Sequence, residues 1–171
     1  CYDRKNEIIN GWYIVQGSHD GFKNIGGNHH RWLGIKVIKK IPILVIADVI
    51  TSNEKMALES FLHFSPNFEL FQDFGSFIIS PFLNTNKLNL KKEIYNGHYS
   101  RGFSLEETRK SVKFSLDITE RLFGIFMIFT HPSISYRRKN YSRYCDSKGE
   151  LDFGNLGKII WDLESKSFYC S

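Results

Sequence analysis

The 171-residue sequence is poor in residues that interrupt or cross-link a chain, with 4 prolines, 13 glycines and 3 cysteines. The cysteines, Cys1, Cys145 and Cys170, include no C-x-x-C pair, which excludes a disulfide framework and the usual zinc-ribbon spacing. Cys145 and Cys170 could form one bridge in an oxidising compartment, or both could remain thiols. The cysteines therefore leave the redox compartment open.

Long apolar runs and nucleotide-binding motifs are also absent. The longest apolar run, residues 41–50, contains Pro42 and Asp48 and is far shorter than the roughly 20 residues of a membrane helix. No P-loop, G-x-G-x-x-G or H-E-x-x-H motif is present. Cys1 takes the place of a starting Met, and no charged segment with a following apolar stretch marks a signal peptide, so we expect a processed chain or a fragment.

The composition that is present favours a packed, strand-rich domain. Hydrophobic residues make up 42% of the chain and aromatic residues 15%, including 15 Phe, which excludes intrinsic disorder and coiled coil. The charge balance is 23 − 18 = +5 and the pI is near 9.1. This balance favours anionic partners without choosing between polysaccharide, nucleic acid and phospholipid.

Short apolar or alternating segments between turn signals predict an all-β fold, an antiparallel β-sandwich with few short helices. The predicted strands cover residues 11–16, 30–38, 41–50, 59–64, 68–71, 76–80, 93–103, 111–118, 122–129 and 159–161. Residues 51–54 and 104–107 fit a capping box, and either could open a short helix. We interpret the first as a turn before a strand. The predicted domains are a sandwich over residues 1–130 and a basic, aromatic extension over residues 131–171.

Histidines supply the first candidate chemistry. Ser18, His19 and Asp20 have the composition of a hydrolase triad, but three consecutive residues cannot adopt triad geometry. His29 and His30 are neighbours on a predicted strand, so their side chains point to opposite faces and cannot chelate one ion together. A lone histidine in this chain is more readily explained by an ordinary structural role than by metal ligation.

A second candidate is the basic and aromatic run over residues 136–144. Its tyrosines could stack on sugars or bases while its cations hold carboxylate, sulfate or phosphate groups. The alternative interpretation is a solvated run of charges.

Four motifs resemble a known family when they are taken in order. They are a His-Asp-Gly-aromatic turn, a His-Arg strand, a strand ending near Asp, and a Phe-x-His strand before a proline, and they lie at residues 17–22, 30–31, 45–50 and 61–66. This order resembles the C-terminal β-sandwich of the heparinase II/III-like polysaccharide lyases. A weaker match lies at residues 99–103, and the resemblance covers roughly residues 12–130.

The resemblance implies β-elimination at a uronic acid. A base removes the proton next to the carboxylate, an acid protonates the leaving glycosidic oxygen, and positive or hydrogen-bonding groups neutralise the carboxylate. The family carries these groups on an N-terminal helical toroid and in a His-x-His-x-Asp segment early in the sheet domain, neither of which this sequence contains. We therefore expect a C-terminal lyase domain that is inactive alone, has no catalytic residues and has no cofactor in this chain, although a metal ion is possible in a full-length family protein.

The resemblance also sets the expected partners and site. The expected partners are an acidic polysaccharide and the absent N-terminal toroid, with no nucleic acid and no membrane span, and the expected location is periplasmic or extracellular. The candidate substrate-binding residues are His19, Asp20, His30 and Arg31, which match the family motifs, and Arg137 and Arg138, which come from the basic run outside the resemblance.

Structural roles compete with these assignments. Asp20 and Gly21 would shape a turn, His30 and Arg31 would make hydrogen bonds within the sheet or between domains, and Asp48 would be a buried, hydrogen-bonded carboxylate. The rival functions are a non-catalytic carbohydrate-binding or structural β module and a nucleic-acid-binding β domain.

Overall fold

The computed structural model describes residues 2–54, 56–66, 75–79, 91–102, 105–118, 122–141 and 147–171. Apart from two single-turn 3₁₀ helices, at Lys23–Ile25 and Gly154–Leu156, the regular structure in these ranges is β-strand. The predicted all-β class is confirmed. No helix in this part of the chain has the length and apolar character needed to cross a membrane.

The described residues form thirteen strands, each paired antiparallel with its neighbours. They are β1 (Tyr2–Ile9), β2 (Trp12–His19), β3 (Asn28–Ile38), β4 (Ile41–Thr51), β5 (Met56–His63), β6 (Gly75–Ile79), β7 (Lys91–Gly102), β8 (Leu105–Ile118), β9 (Leu122–Thr130), β10 (Arg137–Asn140), β11 (Lys148–Asp152), β12 (Lys158–Asp162) and β13 (Ser167–Cys170).

The strands build three sheets. A six-stranded sheet has the order β1-β2-β3-β4-β9-β6, a four-stranded sheet the order β10-β11-β12-β13, and a three-stranded sheet the order β5-β8-β7. The smaller sheets pack on opposite faces of the six-stranded sheet, because odd-numbered residues of β4 such as Val45 join one core cluster and even-numbered ones such as Ile46 join the other. The strand β4 is therefore buried on both faces, as its near-continuous apolar sequence predicts.

Two-residue turns set the first hairpins. Asn10 and Gly11 join β1 to β2 with φ of 51° and 78°, the left-handed conformation that an Asn-Gly type I′ turn provides. Lys39 and Lys40 join β3 to β4 with φ of 47° and 71°, although neither residue favours that region. The sequence patterns did not predict β1, and the Asn-Gly pair was the signal for it.

One predicted alternative is wrong. Glu106 and Glu107, part of the second capping box, lie in β8 opposite Ser100 and Tyr99 of β7, so no helix opens there. Pairing along a fourteen-residue alternating strand outweighs the local capping signal. The first box is a turn before a strand, as predicted, since the Ser52 hydroxyl accepts a hydrogen bond from the Glu54 amide at 3.0 Å and β5 follows.

The C-terminal residues contribute to the main core. Trp161 of β12 and Phe168 of β13 pack with Trp12 and Trp32 of the six-stranded sheet. The predicted boundary near residue 130 falls between β9 and β10 and stays a prediction. Cys170 is a buried thiol whose pKa burial raises to about 12. The predictions for Cys1, Cys145 and residues 68–71 and 142–144 lie outside the described residues.

A buried tryptophan over a glycine gives a test of the core. A Cβ on Gly34 would meet the fully buried ring of Trp32, its neighbour on the same face of β3. We expect Gly34→Ala to lower the free energy of unfolding by about 1–3 kcal/mol, the usual cost of overpacking. Urea denaturation measures this loss. Gly102→Ala is the control, because no described residue lies within 4 Å of a Cβ at that position, and an equal loss in both variants would contradict the packing explanation.

Candidate functional site

Strand register gathers four polar side chains on one face of the six-stranded sheet. His19 of β2 lies opposite His29 of β3, and Arg31 of β3 lies opposite Asp48 of β4. His29 and Arg31 are two residues apart, so both point to the face that packs against the three-stranded sheet. Gly17 lies opposite Arg31 on β2 and carries no side chain to cover it.

The four side chains form a continuous hydrogen-bonded network. Asp48 accepts from Arg31 Nε at Oδ1 over 2.6 Å and from Arg31 Nη2 at Oδ2 over 2.8 Å. His29 Nε2 lies 2.7 Å from Asp48 Oδ1, and His29 Nδ1 lies 2.7 Å from His19 Nε2. The bidentate Arg31 pair is the strongest kind of ionic hydrogen bond.

The direction of donation along this hydrogen-bonded network follows from its two ends. The Gly21 amide can only donate, so His19 Nδ1, 3.2 Å away, is an acceptor. His19 then carries its proton on Nε2 and donates to His29 Nδ1, which leaves the His29 proton on Nε2, where it is donated to Asp48. Both nitrogens of each ring are engaged in this arrangement.

Charge balance holds the network in this state. The Asp48 side chain is 2% exposed and the Arg31 side chain 40% exposed. Burial disfavours the charged carboxylate, but hydrogen bonds from Arg31 and His29 outweigh it and lower the pKa of Asp48. The Asp48 bond raises the pKa of Arg31, while burial, followed by the nearby His29, lowers the pKa of His19. The expected role of Asp48 as a buried, hydrogen-bonded carboxylate is confirmed.

His30 lies on the opposite face of β3. Its Nδ1 is 2.8 Å from the buried Ser18 hydroxyl, and its ring stacks on Phe168 with a centroid distance of 6.5 Å. Its Nε2 is buried and has no hydrogen-bond partner among the described residues, and burial, followed by Lys166, lowers the pKa of the ring. The prediction that His29 and His30 point apart is confirmed.

The six predicted substrate-binding residues do not converge. His19 and Arg31 share the network, and His30 lies behind it. The exposed Asp20 uses its backbone carbonyl to accept from the Lys23 amide at 2.9 Å, within the turn that the sequence predicts. Substrate binding by any of them stays a prediction.

Arg137 and Arg138 lie on β10, in the four-stranded sheet on the other side of the molecule. Arg137 is exposed and lies opposite Asp152, and Lys139 lies opposite Glu150, so acidic residues of β11 face the bases of this strand. Arg138 is half-buried and donates from Nε to Asn140 at 3.1 Å. The basic run is thus built into a sheet edge in its described part, residues 136–141.

The residues that sequence reasoning missed as site members are His29 and Asp48. Alternation along β3 places His29 beside Arg31, but only the β3-β4 register reveals Asp48 as the group that joins them. Within the described ranges, no cluster of three or more His, Cys, Asp or Glu side chains is arranged to hold a metal ion. The network does not fit a metal either, because every imidazole nitrogen in it already has a partner.

Comparison with solved structures identifies the fold. A heparan sulfate lyase from Pedobacter heparinus matches with a TM-score of 0.52 at 16% identity, and a heparinase III gene product matches with a TM-score of 0.56 at 10% identity. Each match covers 98% of this chain and 27% of the other chain. The chain therefore has the fold of part of these lyases and spans about a quarter of their length. No family model and no curated protein sequence matches it.

The Asp48 network predicts a large effect of one isosteric change. Asp48→Asn leaves the Arg31 cation without its carboxylate and turns an amide group toward donors, so we expect a loss of about 3 kcal/mol in the free energy of unfolding. Chemical denaturation measures this loss. Glu59→Gln is the matched control, because it breaks the solvent-screened pair with Lys113 and should cost much less than Asp48→Asn. Equal costs would show that the network adds no more than a surface pair.

The histidines predict the pH dependence of stability. The pKa values of His19 and His30 lie below the ordinary 6.5 in the folded chain, so the unfolded chain binds more protons as the pH falls through 6.5. Stability is fully present above that pH and decreases below it. Thermal unfolding at pH 7.5 and pH 5.5 measures the change, and the double variant His19→Gln, His30→Asn should show a smaller one. An unchanged pH dependence in that variant would rule the two histidines out as its source.

Proposed function

We propose that the chain is the C-terminal β domain of a heparinase II/III-like polysaccharide lyase, which cleaves uronic-acid-containing acidic polysaccharide by β-elimination. The observation that carries the proposal is the fold match, which covers 98% of this chain but only 27% of the solved lyases. The motif order at residues 17–66 supports the same assignment from an independent direction. A lyase of this kind would lie in the periplasm or outside the cell.

In this proposal the base and acid of the elimination come from other parts of the polypeptide. A general base needs a free lone pair within reach of the substrate proton. His19 and His29 offer none, since their ring nitrogens are engaged between the Gly21 amide and Asp48. In the part of the chain that the structure describes, His30 Nε2 has no partner, but it is buried in the core beside Phe168. These contacts favour a non-catalytic role for this domain.

The second candidate is a carbohydrate-binding or structural β module without any catalytic partner. The same closed network favours it, because a network with every nitrogen engaged stabilises the sheet without substrate. The nucleic-acid-binding alternative has less support. The described bases of the tail face acidic residues across the strand pair, which weakens their attraction for phosphates.

Lyase assays separate the candidates. We expect no gain in the ultraviolet absorbance of unsaturated uronate when this chain alone is incubated with heparan sulfate or another uronic-acid polymer. The polypeptide encoded by the whole genomic reading frame that contains these residues should produce that absorbance. Turnover by the isolated chain would refute the assignment of the chemistry to other parts. Inactivity of the whole polypeptide on a panel of uronic-acid polymers would favour the non-catalytic module.

A further inference from the structure

One half of the six-stranded sheet has an apolar face that is open to solvent. Exposed side chains on it are Ile8 of β1, Tyr13 and Val15 of β2 and Val37 of β3, with 67, 57, 55 and 59% of their surfaces accessible. We call these four residues the outer patch. Single exposed apolar residues are common, but a group on adjacent strands marks an interaction surface.

Register shows that the outer patch belongs to the same face as the second core cluster. Ile8 lies opposite Tyr13, Tyr13 opposite Ile35, and Ile35 opposite Leu44 of β4, which forms one row across four strands. At its β4 end the row reaches Leu44, which packs against the core beneath the three-stranded sheet. At its β1 end the row is exposed. The three-stranded sheet therefore covers only part of this face.

The sequence of β2 is typical of burial on both faces. Trp12 and Ile14 are buried against the four-stranded sheet, while Tyr13 and Val15, which alternate with them, are exposed. A strand with one solvated face alternates apolar and polar residues, as Ser111 to Leu116 of β8 does, whereas a doubly buried strand such as β4 is apolar throughout. The β2 sequence resembles that of β4 in this part, yet one of its faces is uncovered.

We propose that the outer patch is the docking surface for the additional polypeptide of the lyase, the part that the solved lyases have and this chain lacks. This inference rests on the proposed function. The length difference supplies the candidate occupant, because the matched solved chains extend far beyond the 27% that this chain covers. The edge of β1 lies beside the patch, and its backbone is free to pair with a further strand in the described six-stranded sheet.

A charged residue on the face of the outer patch is already paired. Arg31 lies on the same face, and its Nε and Nη2 are already bonded to Asp48. Covering the patch would therefore bring no unpaired charge of the Arg31-Asp48 pair into an apolar contact, which is the main cost of burying ionic groups.

Two tyrosines of matched exposure provide the test. Tyr13 in the outer patch is 57% exposed, and Tyr169, on the outer face of the four-stranded sheet, is 59% exposed. Acetylation with N-acetylimidazole, followed by mass spectrometry, is carried out on this chain and on the polypeptide of the whole reading frame. In the isolated chain both tyrosines should react. In the longer polypeptide Tyr13 should react about tenfold more slowly, because interface cores are as tightly packed as protein interiors, while Tyr169 should be unchanged.

Three results would overturn the proposal. They are equal labelling of Tyr13 in both polypeptides, equal protection of Tyr13 and Tyr169, and protection of Tyr13 in the isolated chain that increases with its concentration, which would identify a second copy as the occupant. The lyase assay is independent of all three. An active longer polypeptide with a reactive Tyr13 refutes the docking surface alone, and an inactive one with a protected Tyr13 refutes the lyase function alone.

A variant pair gives a second readout. Val15→Lys places a charge in the outer patch and Tyr169→Lys places one on the other sheet. In the isolated chain both should leave the unfolding midpoint almost unchanged, because both positions are exposed. In the longer polypeptide only Val15→Lys should speed protease cleavage between this domain and the rest. Equal cleavage rates for the two variants would contradict the docking surface.

Discussion

The carboxylate of Asp48 is the constraint on which the arrangement of the sheet depends. Asp48 is the one charged residue of β4, a strand that is covered on both faces by core clusters. A buried carboxylate without partners is costly, so the strand is stable only where a cation can reach it. The register that places Arg31 opposite Asp48 meets this requirement, and a slip by one residue would turn the carboxylate to the core of tryptophans.

Some parts of this structure could be predicted from the sequence and others could not. The strands at residues 12–19, 28–38 and 41–51 follow from β-branched and aromatic runs between turn residues, and the alternation along β3 separates His29 from His30. Partners beyond a local hairpin were not predictable, because such pairing depends on contacts between distant residues. The strand β9 pairs with β4 although some seventy residues separate them, and nothing local in either strand encodes that choice.

The candidate site divides in the same way. The residue types were visible in the sequence, but the network in which His19 bonds the Gly21 amide and His29, and His29 bonds Asp48, became evident only from the register of three strands. Local patterns suggested substrate contacts for residues that the fold assigns to different faces and sheets. The basic residues of β10 likewise do not form a purely positive surface, because they face acidic residues across the strand pair.

The hydrogen-bonded network of Asp48 and the outer patch lie on the same face of the six-stranded sheet, with Arg31 near both. The face is apolar where the three-stranded sheet packs, charged at the Arg31-Asp48 pair, and apolar and exposed at Ile8, Tyr13 and Val15 of the outer patch. A sheet face in contact with solvent would carry polar side chains on its outer strands. Ile8, Tyr13 and Val15 stand there instead, with the polar Asn6 of β1 opposite Val15. These apolar side chains are the observation on which the proposed docking surface rests.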